Sequence, residues 1–344
     1  MAGQDGDGWA RCERGHTHWG RFGAVGLLAY AGPQAPRPEA GGPEAGGLEA
    51  AGPEAGGPEA GGSGAAGPEA GGLEAAGPEA GGPEAEPGGT AGRVRVLLAR
   101  RSRWGQHGGT WGPPGGARDS DEPPLAAALR EAAEECGLPP GGVDVQAMLR
   151  DDHGGWSYRT YVAAAGGQLP VRAASPEITA ARWVDVTRVP SLRLHPGFAA
   201  RWPVLSRALT PVSVIVDAAN VMGARPDGWW RDRAAAALRL HGQLVSLAEQ
   251  GVASLPGLPG LPPLDRWFPD LVLVVEGAAR RAAFPPADHV RVVLAPGSGD
   301  DAIVAEARTL PGRRLVVTAD RELRRRCEAA GASVTGPRWL LALL

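Results

Sequence analysis

Three glutamates share one face of a predicted helix. Glu131, Glu134 and Glu135 are spaced i, i+3 and i+4 in the stretch EPPLAAALREAAEECG (122–137), so their side chains are neighbours on its surface. Carboxylates this close repel one another, by about 0.2–0.5 kcal/mol per pair on an exposed helix. A divalent cation held among them would remove the repulsion, and a set of oxygen ligands favours Mg²⁺ or Mn²⁺. The alternative is a solvated helix face rich in glutamate.

The helix that must position these glutamates has clear end signals. Its prolines fall in the first turn, where proline is tolerated, and Gly137 can stop it. Apolar residues recur along it at helical spacing. Runs of apolar β-formers predict strands before it, at 20–30 and 93–101, and after it, at 157–165 and 181–186.

The residues around the glutamates also follow a fixed spacing. Residues 116–138 read GARDSDEPPLAAALREAAEECGL. Within this stretch, Arg130 and Glu122 sit on neighbouring turns and could pair to hold the loop against the helix. This stretch resembles the Nudix box, G-x5-E-x7-R-E-U-x-E-E-x-G-U, where U is apolar; every fixed position is matched, and only Ala132 is small for its position. The resemblance covers roughly residues 17–206 and implies a Nudix fold, an α/β/α sandwich in which a mixed sheet lies between helices.

The same resemblance implies an activity and a role for each acid. The activity is hydrolysis of a nucleoside diphosphate linked to another moiety. Glu134 and Glu135 are implied to bind the metal ion, Glu131 to be a further ligand or the base that activates water, and the carbonyl of Gly116 to be another ligand. The chemistry is consistent, because a metal ion lowers the pKa of bound water and a nearby carboxylate can accept the proton.

Further residues near the box are candidates for the same site. Nudix enzymes often recruit another acid from a later loop, and Glu177, just before the strand ARWVDV, is the first candidate, ahead of Asp151 and Asp152. Three arginines could hold phosphates or be solvated at the surface: Arg100, Arg101 and Arg103. Three tryptophans could stack on a base or fill the core, and the core is favoured for at least one: Trp104, Trp111 and Trp156.

A second group of acids lies at the strand ends of the C-terminal part. There, strands alternate with helices, which predicts a parallel sheet with helices on both faces and a ligand site beyond the carboxyl ends of the strands. Asp217, Glu276 and Asp320 end three of the predicted strands, and Asp300 and Asp301 begin a helix. Helix capping would explain Asp300 and Asp320. It is not expected to explain Asp217 and Glu276.

Short motifs at these strand ends resemble a second family. They are VDAAN (216–220), SGDDAI (298–303) and TAD (318–320). With the topology, they resemble the NYN domains of the PIN-like nuclease group and imply a Rossmann-type parallel-sheet domain that cleaves RNA with bound metal. The implied core metal ligands are Asp217, Asp300 and Asp320. The implied assisting residues at the metal are Asp301, Glu276 and Asn220, although an aspartate is common where Glu276 stands. Six arginines past the strand ends could contact phosphates or form polar helix faces: Arg280, Arg281, Arg321, Arg324, Arg325 and Arg326.

A low-complexity insertion interrupts the first part of the chain. Residues 38–87 repeat the pattern [Pro/Leu]-Glu-Ala-[Gly/Ala]-Gly, which cannot sustain a helix or a strand and buries almost nothing. We predict a disordered, acidic loop over 32–92 that interrupts a hairpin, whose strands can still pair. The predicted α/β domains are therefore a Nudix domain over 1–206, with this insertion, and an NYN/PIN-like domain over 211–344.

Composition excludes several classes of protein. The 344 residues include 53 glycines and 33 prolines, a content typical of low-complexity sequence. The three cysteines are far apart, so neither a disulfide framework nor a thiolate zinc site is expected, and a cytoplasmic location fits. The N-terminus lacks the apolar core of a signal peptide, and no run is long enough to span a bilayer, so no membrane partner is expected.

These observations support one leading hypothesis and two rivals. The first is a cytoplasmic, Mg²⁺- or Mn²⁺-dependent hydrolase of nucleotide-type pyrophosphates, joined to a domain that cleaves RNA. In the second, the C-terminal domain binds RNA or protein without turnover. In the third, the Nudix part only senses a ligand, which the complete box argues against.

Overall fold

The structure, a computed structural model, describes residues 5–32, 93–104, 107–226 and 228–344. The predicted disordered insertion lies outside the described residues apart from residue 32, and its disorder stays a prediction.

The strands are β1 (Trp9–Arg11), β2 (Thr17–Trp19), β3 (Ala24–Ala31), β4 (Arg95–Arg101), β5 (Trp111–Gly112), β6 (Val143–Asp152), β7 (Ser157–Ala165), β8 (Ile178–Asp185), β9 (Val212–Asp217), β10 (Arg266–Trp267), β11 (Asp270–Val275), β12 (Val290–Leu294), β13 (Arg313–Val317) and β14 (Ser333–Thr335). The helices are α1 (Pro124–Cys136), α2 (Pro196–Leu205), α3 (Ala218–Gly223), α4 (Arg233–Gln250), α5 (Gly299–Thr309), α6 (Arg321–Ala329) and α7 (Pro337–Leu341).

A mixed seven-stranded sheet carries the first part of the chain. Its order is β10-β6-β7-β3-β4-β5, with β8 also paired to β4. β3 and β7 are parallel, and the other pairs are antiparallel. Successive residues of a strand point to opposite faces, so Leu27 packs in the hydrophobic cluster beneath α1 and Leu28 in the cluster that includes α2. The sheet therefore has apolar layers on both faces.

The predicted helix that carries the glutamates is confirmed as α1. Pro124 is its first residue, and Gly137 ends it in the left-handed conformation with φ 68°. The main-chain N–H of Gly137 donates to the carbonyl of Ala133 and that of Leu138 to Ala132. Ala132 is buried against the sheet, where a small side chain lets the helix lie close to β3.

The predicted hairpin across the insertion is also confirmed. β3 and β4 pair antiparallel at their near ends, with Tyr30 opposite Val96 and Ala31 opposite Arg95. A long connection adds only slowly to the entropy of loop closure, so the two strands can meet across it.

The C-terminal part contains the predicted parallel sheet. Its five strands lie in the order β12-β11-β9-β13-β14, all parallel. One face packs in a cluster with α5 and α6, and the opposite face packs in a cluster with α4. β9 ends at Asp217, as predicted, and the chain continues as the short helix α3, which the sequence did not predict. The strand β6 and the helix α7 were not predicted.

One strand and a continuous core link the two parts of the chain. β10 comes from the C-terminal part yet pairs with β6, placing Trp267 opposite Ala147. One hydrophobic cluster contains Leu28 of β3, Trp202 of α2 and Leu273 of β11. The division into domains at 1–206 and 211–344 remains a prediction. Among the helices described, none is long and apolar enough to cross a membrane.

Candidate active site

The carboxylate of Glu131 packs directly against the main chain of Gly116. A β-carbon built at Gly116 would lie 2.6 Å from Glu131 Oε1 and 2.7 Å from its Cδ, distances that real contacts do not allow. The carbonyl of Gly116 accepts a hydrogen bond from the N–H of Val25 at 3.0 Å, which holds the loop along β3. A carbonyl oxygen has a second lone pair, so this group can still serve as a ligand.

Glu135 is bound to the same loop from the next position on α1. Its Oε2 accepts a hydrogen bond from the N–H of Gly115 at 2.9 Å, and the residue is 5% exposed. Burial raises the pKa of Glu135 to about 7, against the lowering effect of the Gly115 hydrogen bond. The negative charges of Glu131 and Glu177 raise it further, and the positive charge of Arg101 lowers it.

Burial has the same effect on Glu131. It raises the pKa of Glu131 to about 7, although the Arg130 guanidinium beside it acts in the opposite direction. The charges of Glu134 and Glu177 add to the rise. Glu134 itself is half exposed, which places it at the entrance of the group.

Arg130 joins the helix to the loop that precedes it. Its Nε donates to Oε1 of Glu122 at 2.8 Å and its Nη2 to Oε2 at 3.0 Å, a bidentate ion pair. Its Nη1 lies 3.0 Å from both Glu131 Oε1 and Glu134 Oε2. The hydrogen bonds from Arg130 hold the pKa of Glu122 below its usual range. One guanidinium thus orders three carboxylates, as the sequence predicted for its pair with Glu122.

The donor set suits a hard divalent cation. It consists of carboxylate oxygens and one main-chain carbonyl, the ligands that Mg²⁺ and Mn²⁺ accept. Glu131 and Glu135 have raised pKa values because they are buried beside like charge, a strain that a cation would relieve. Among the described residues, no three of these carboxylates bring oxygens within 4.8 Å of one another, and Arg130 pairs with two of them.

The three candidates for an additional acid, Glu177, Asp151 and Asp152, differ in their contacts. Glu177 is exposed, and its charge adds to the raised pKa values of Glu131 and Glu135. Its carbonyl accepts a hydrogen bond from Ser102 N–H at 2.7 Å. Asp151 instead pairs with Arg201, and Asp152 pairs with Arg150.

Among the flanking arginines, Arg101 acts electrostatically on the acids. Its charge lowers the pKa of Glu135, and its Nε is buried without a hydrogen-bond partner in the described part of the chain. Trp111 and Trp156 are buried, which agrees with a core role, whereas Trp104 is 98% exposed.

Sequence reasoning missed Tyr158 on β7. Burial raises the pKa of its hydroxyl, and the charges of Glu135 and Glu131 contribute, so the phenol lies near the acidic group. A β-carbon at Gly26 would lie 2.3 Å from the Tyr158 hydroxyl oxygen, so this glycine makes room for the ring. Only the parallel pairing of β7 with β3 brings Tyr158 to this place, and no local motif indicates it.

Comparisons with known proteins agree with this geometry. Residues 88–207 match the model of the NUDIX domain. The chain is 34% identical over 212 residues to "Putative 8-oxo-dGTP diphosphatase 3" of Mycobacterium tuberculosis, covering 59% of this chain and 70% of that protein. The chain belongs to the Nudix hydrolase family. Proteins of this family generally use divalent metal ions.

Other relatives of this Nudix protein include a fusion and a solved structure. It is 29% identical over 204 residues to "Nucleoside triphosphate pyrophosphatase/Nudix hydrolase fusion protein" of Bifidobacterium longum, covering 58% of this chain and 31% of that one. The crystal structure of the Nudix hydrolase RenU from M. smegmatis is 32% identical, covers 58% of this chain and 93% of its own, and has a TM-score of 0.40.

In the C-terminal part of the Nudix protein, Asp217 has a structural role as well as a place at the sheet edge. It is the N-cap of α3, and its Oδ1 accepts the N–H of Asn220 at 3.0 Å. Its Oδ2 accepts hydrogen bonds from Asn220 Nδ2 at 2.7 Å and Thr318 Oγ1 at 2.9 Å. The expectation that capping does not explain Asp217 is therefore wrong, because the sequence did not predict the short helix α3.

Glu276 and Asp320 also bind helix N-termini. Glu276 Oε2 accepts the N–H of Gly299, the first residue of α5, at 2.7 Å. Asp320 Oδ1 accepts the N–H of Leu323 at 2.7 Å and caps α6. Glu276 is not the N-cap residue of α5, which is Ser298, so capping does not explain it; its carboxylate bonds this helix end from the neighbouring strand.

Unlike Asp217, Glu276 and Asp320, Asp300 has no hydrogen bond to a helix N-terminus among the described residues that would explain its position. Burial raises its pKa, and the charges of Asp217, Asp320 and Glu276 add to the rise. Asp301 instead pairs with Arg326. In the described residues, no three of these acids bring oxygens within 4.8 Å of one another.

The arginines near these strand ends are partly engaged. Arg280 donates to the carbonyls of Ala295 and Pro296, at 2.9 and 3.1 Å. Arg325 pairs with Glu322 on the same helix. Phosphate binding by these arginines stays a prediction.

Proposed function

We propose that this Nudix protein hydrolyses a pyrophosphate bond in a nucleotide-type substrate with Mg²⁺ or Mn²⁺. The observation that carries the proposal is the packing of Glu131 and Glu135 against the main chain of Gly115 and Gly116. It gathers the buried carboxylate of Glu135 and the partly buried one of Glu131, each with a pKa of about 7, beside a free carbonyl lone pair. A merely solvated helix face would leave its glutamates exposed.

Each residue has a proposed role in this reaction. The metal ion, when bound, lowers the pKa of a water molecule and neutralises charge that develops on the phosphates. Glu134, Glu135 and the carbonyl of Gly116 would hold it. Glu131 is a ligand or, with a pKa of about 7, a base suited to take a proton at its carboxylate oxygen near neutral pH. Glu177 is the proposed additional acid.

Arg101 is the proposed contact for the substrate phosphates. Its Nε is buried and has no hydrogen-bond partner in the residues described, so the group retains a donor for an incoming anion. Its positive charge also lowers the pKa of Glu135, which supports a position near the acids. An arginine held in this way can bind a phosphate oxygen without first giving up another ion pair.

The substrate class is proposed from the relatives. The M. tuberculosis relative is named as an 8-oxo-dGTP diphosphatase, and the B. longum relative as a nucleoside triphosphate pyrophosphatase fusion. We therefore propose a nucleoside triphosphate, with 8-oxo-dGTP as the first compound to test.

A substrate screen tests the proposal. The purified full chain is incubated with a panel of nucleoside triphosphates, including 8-oxo-dGTP, and nucleoside diphosphate derivatives, with Mg²⁺ or with EDTA, and products are separated by ion-exchange chromatography. Hydrolysis that requires Mg²⁺ and falls by roughly 10²–10⁴ in Glu131→Gln supports it. The matched control is Glu249→Gln, an exposed glutamate on α4, which should keep wild-type turnover. A panel without any Mg²⁺-dependent product contradicts it.

A second candidate function concerns the C-terminal part, proposed as the NYN/PIN-like domain of residues 211–344. The observation that favours metal-dependent RNA cleavage is Asp300, whose pKa is raised by partial burial and further by the charges of Asp217, Asp320 and Glu276. The alternative is a module that binds RNA or protein without turnover. Incubation of the full chain with labelled single-stranded RNA and Mn²⁺ separates them. Cleavage that Asp300→Asn abolishes supports the nuclease, and binding without cleavage supports the module.

A further inference from the structure

The N-terminal hairpin and the β6–β7 connection bring one cysteine and three histidines together. Cys12 follows β1, His16 and His18 lie in the turn and in β2, and His153 comes from the connection between β6 and β7. One ligand atom from each side chain lies within 4.8 Å of those of the other three. A thiolate zinc site was not expected because the cysteines are far apart. The structure shows that histidines complete the group around a single cysteine.

We propose that Cys12, His16, His18 and His153 bind a zinc ion, at a site separate from the acids of α1. Zinc prefers thiolate sulfur and imidazole nitrogen in a tetrahedral set of four, whereas the glutamates of α1 offer only hard oxygen ligands. Four protein ligands leave no open position for substrate. The site is therefore structural.

Two of the histidines have ring nitrogens that nothing else satisfies. Nε2 of His18 and Nδ1 of His153 are both buried and lack a hydrogen-bond partner among the described residues. The ring of His18 stacks flat on Trp156, with 4.0 Å between ring centroids and 9° between planes. Trp156 is fixed in turn, since its Nε1 donates to the carbonyl of Gly20 at 2.8 Å. Ring nitrogens buried without partners, on a ring held in one plane, are what a metal ligand requires.

The second nitrogen of His153 faces a carboxylate. Its Nε2 lies 3.6 Å from Oδ1 of Asp151, and Asp151 is held by an ion pair with Arg201 of α2. Histidines that bind zinc through one nitrogen commonly direct the other toward a carboxylate, which orients the ring. Nδ1 of His153 is therefore the atom assigned to the metal ion.

The turn between β1 and β2 is shaped to present two ligands together. The N–H of Cys12 donates to the carbonyl of His16 at 3.0 Å, and the N–H of Gly15 donates to the carbonyl of Cys12 at 2.9 Å. Gly15 has φ 82°, a conformation that favours glycine. This tight turn sets the cysteine and the first histidine on the same side of the hairpin.

The segment that leads into the hairpin contacts the loop of the Nudix box. The N–H of Gly6 donates to Oδ1 of Asp119 at 2.9 Å, and the N–H of Ser120 donates to Oδ1 of Asp5 at 3.0 Å. The N–H of Arg21 donates to the carbonyl of Gly6 at 2.8 Å, which returns the chain to the hairpin. A zinc ion that fixes the hairpin would thus brace this loop from its outer side.

Metal analysis of the full chain tests the proposal. The untagged protein is loaded with Zn²⁺, dialysed against metal-free buffer and analysed by mass spectrometry for zinc and by X-ray absorption at the zinc edge. We expect about one zinc per chain, with one sulfur at about 2.3 Å and nitrogens at about 2.0–2.1 Å. Cys12→Ser and His16→Asn should each lose most of the zinc. The matched control is His107→Asn, an exposed histidine with φ 58°, which asparagine tolerates and which should keep the zinc.

Three results would overturn the proposed zinc site. A folded wild-type chain that retains less than about 0.1 zinc, or zinc surrounded only by oxygen and nitrogen, contradicts the assignment. So does a folded Cys12→Ser chain with unchanged zinc and absorption. If Cys12→Ser does not fold, the test is made on the wild type instead, with cobalt substituted for zinc. A thiolate-to-cobalt charge-transfer band then supports the site, and its absence rejects it.

Discussion

The carboxylate of Glu131 and the α-carbon of Gly116 are so close that no side-chain atom fits between them. A β-carbon at position 116 would lie 2.6 Å from Glu131 Oε1. The glycine of the box therefore has a steric purpose in this chain, beyond any freedom of its backbone. It lets a buried carboxylate reach the loop whose carbonyl is the proposed ligand.

Replacing that glycine should displace the proposed base. Gly116→Ala should lower kcat/KM for Mg²⁺-dependent hydrolysis by roughly 10², since a displacement near 1 Å can cost this much. The free energy of unfolding should fall by less than about 1 kcal/mol, because the atoms in the way end a flexible side chain that can move. Steady-state kinetics and urea unfolding measure the two effects. Gly141→Ala, where an added β-carbon meets nothing within 4 Å, is the control and should change neither.

Arg130 should contribute stability that lysine cannot replace. Arg130→Lys keeps the charge but loses the bidentate pair with Glu122, and one ammonium cannot contact three carboxylates in fixed geometry. We expect the free energy of unfolding to fall by about 1–3 kcal/mol in urea. Arg325→Lys, in an exposed pair with Glu322, should change it by less than about 0.5 kcal/mol. Equal effects of the two substitutions would refute the role given to Arg130.

The buried glutamates predict how stability depends on pH. Without metal, Glu131 and Glu135 have pKa values of about 7 in the folded chain, whereas the ordinary value, taken for the unfolded chain, is 4.5. Between these two pH values the folded state therefore binds protons that the unfolded state has released. Their stabilising contribution is complete below about pH 4.5 and is lost as the pH rises through about 7. The slope is about 1.4 kcal/mol per pH unit for one group.

Urea unfolding in EDTA at about pH 5 and about pH 8 measures this loss. Mg²⁺ should restore more stability at the higher pH, where the carboxylates are charged. Glu135→Gln is the matched control and should flatten the dependence, because its amide does not titrate. The prediction is wrong if, in EDTA, the free energy of unfolding of the wild type increases from the lower to the higher pH by more than that of Glu135→Gln.

Local patterns made much of the Nudix site predictable. The position of α1, its end at Gly137 and the Arg130–Glu122 pair all depend on residues close in sequence, and the structure agrees with each. Contacts between distant segments could not be predicted in this way. Tyr158 approaches the glutamates only because β7 pairs with β3, and His153 meets Cys12 across 140 residues of chain for a comparable reason.

The C-terminal acids show the same limit. The strand end at Asp217 was predicted, but the short helix α3 that it caps was not. A six-residue helix has too few turns for its apolar residues to show helical spacing. The sequence therefore indicates Asp217 only as a candidate metal ligand and not as a helix cap. The sequence thus indicates which acids share the sheet edge, and the structure adds which of them already hold helix ends.

The two acids should therefore respond differently to substitution. Asp217→Asn places an amide against Asn220 Nδ2 and Thr318 Oγ1, so it should destabilise the metal-free full chain by about 1–3 kcal/mol. Asp300→Asn removes like charge from a crowded edge, so the chain should be as stable as the wild type or more stable. Thermal and urea unfolding compare the two. A destabilisation by Asp300→Asn as large as that by Asp217→Asn would mean that Asp300 is a structural acid.

The most direct test of the central claim is the Mg²⁺ dependence of pyrophosphate hydrolysis in the full chain and in Glu134→Gln. Glutamine keeps the size of this half-exposed side chain and its place on α1 but removes an anionic ligand. The account predicts that the wild type turns over with Mg²⁺, that Glu134→Gln falls to the level seen in EDTA while still folded, and that the control Glu322→Gln is unaffected. Wild-type turnover in a folded Glu134→Gln chain would contradict it.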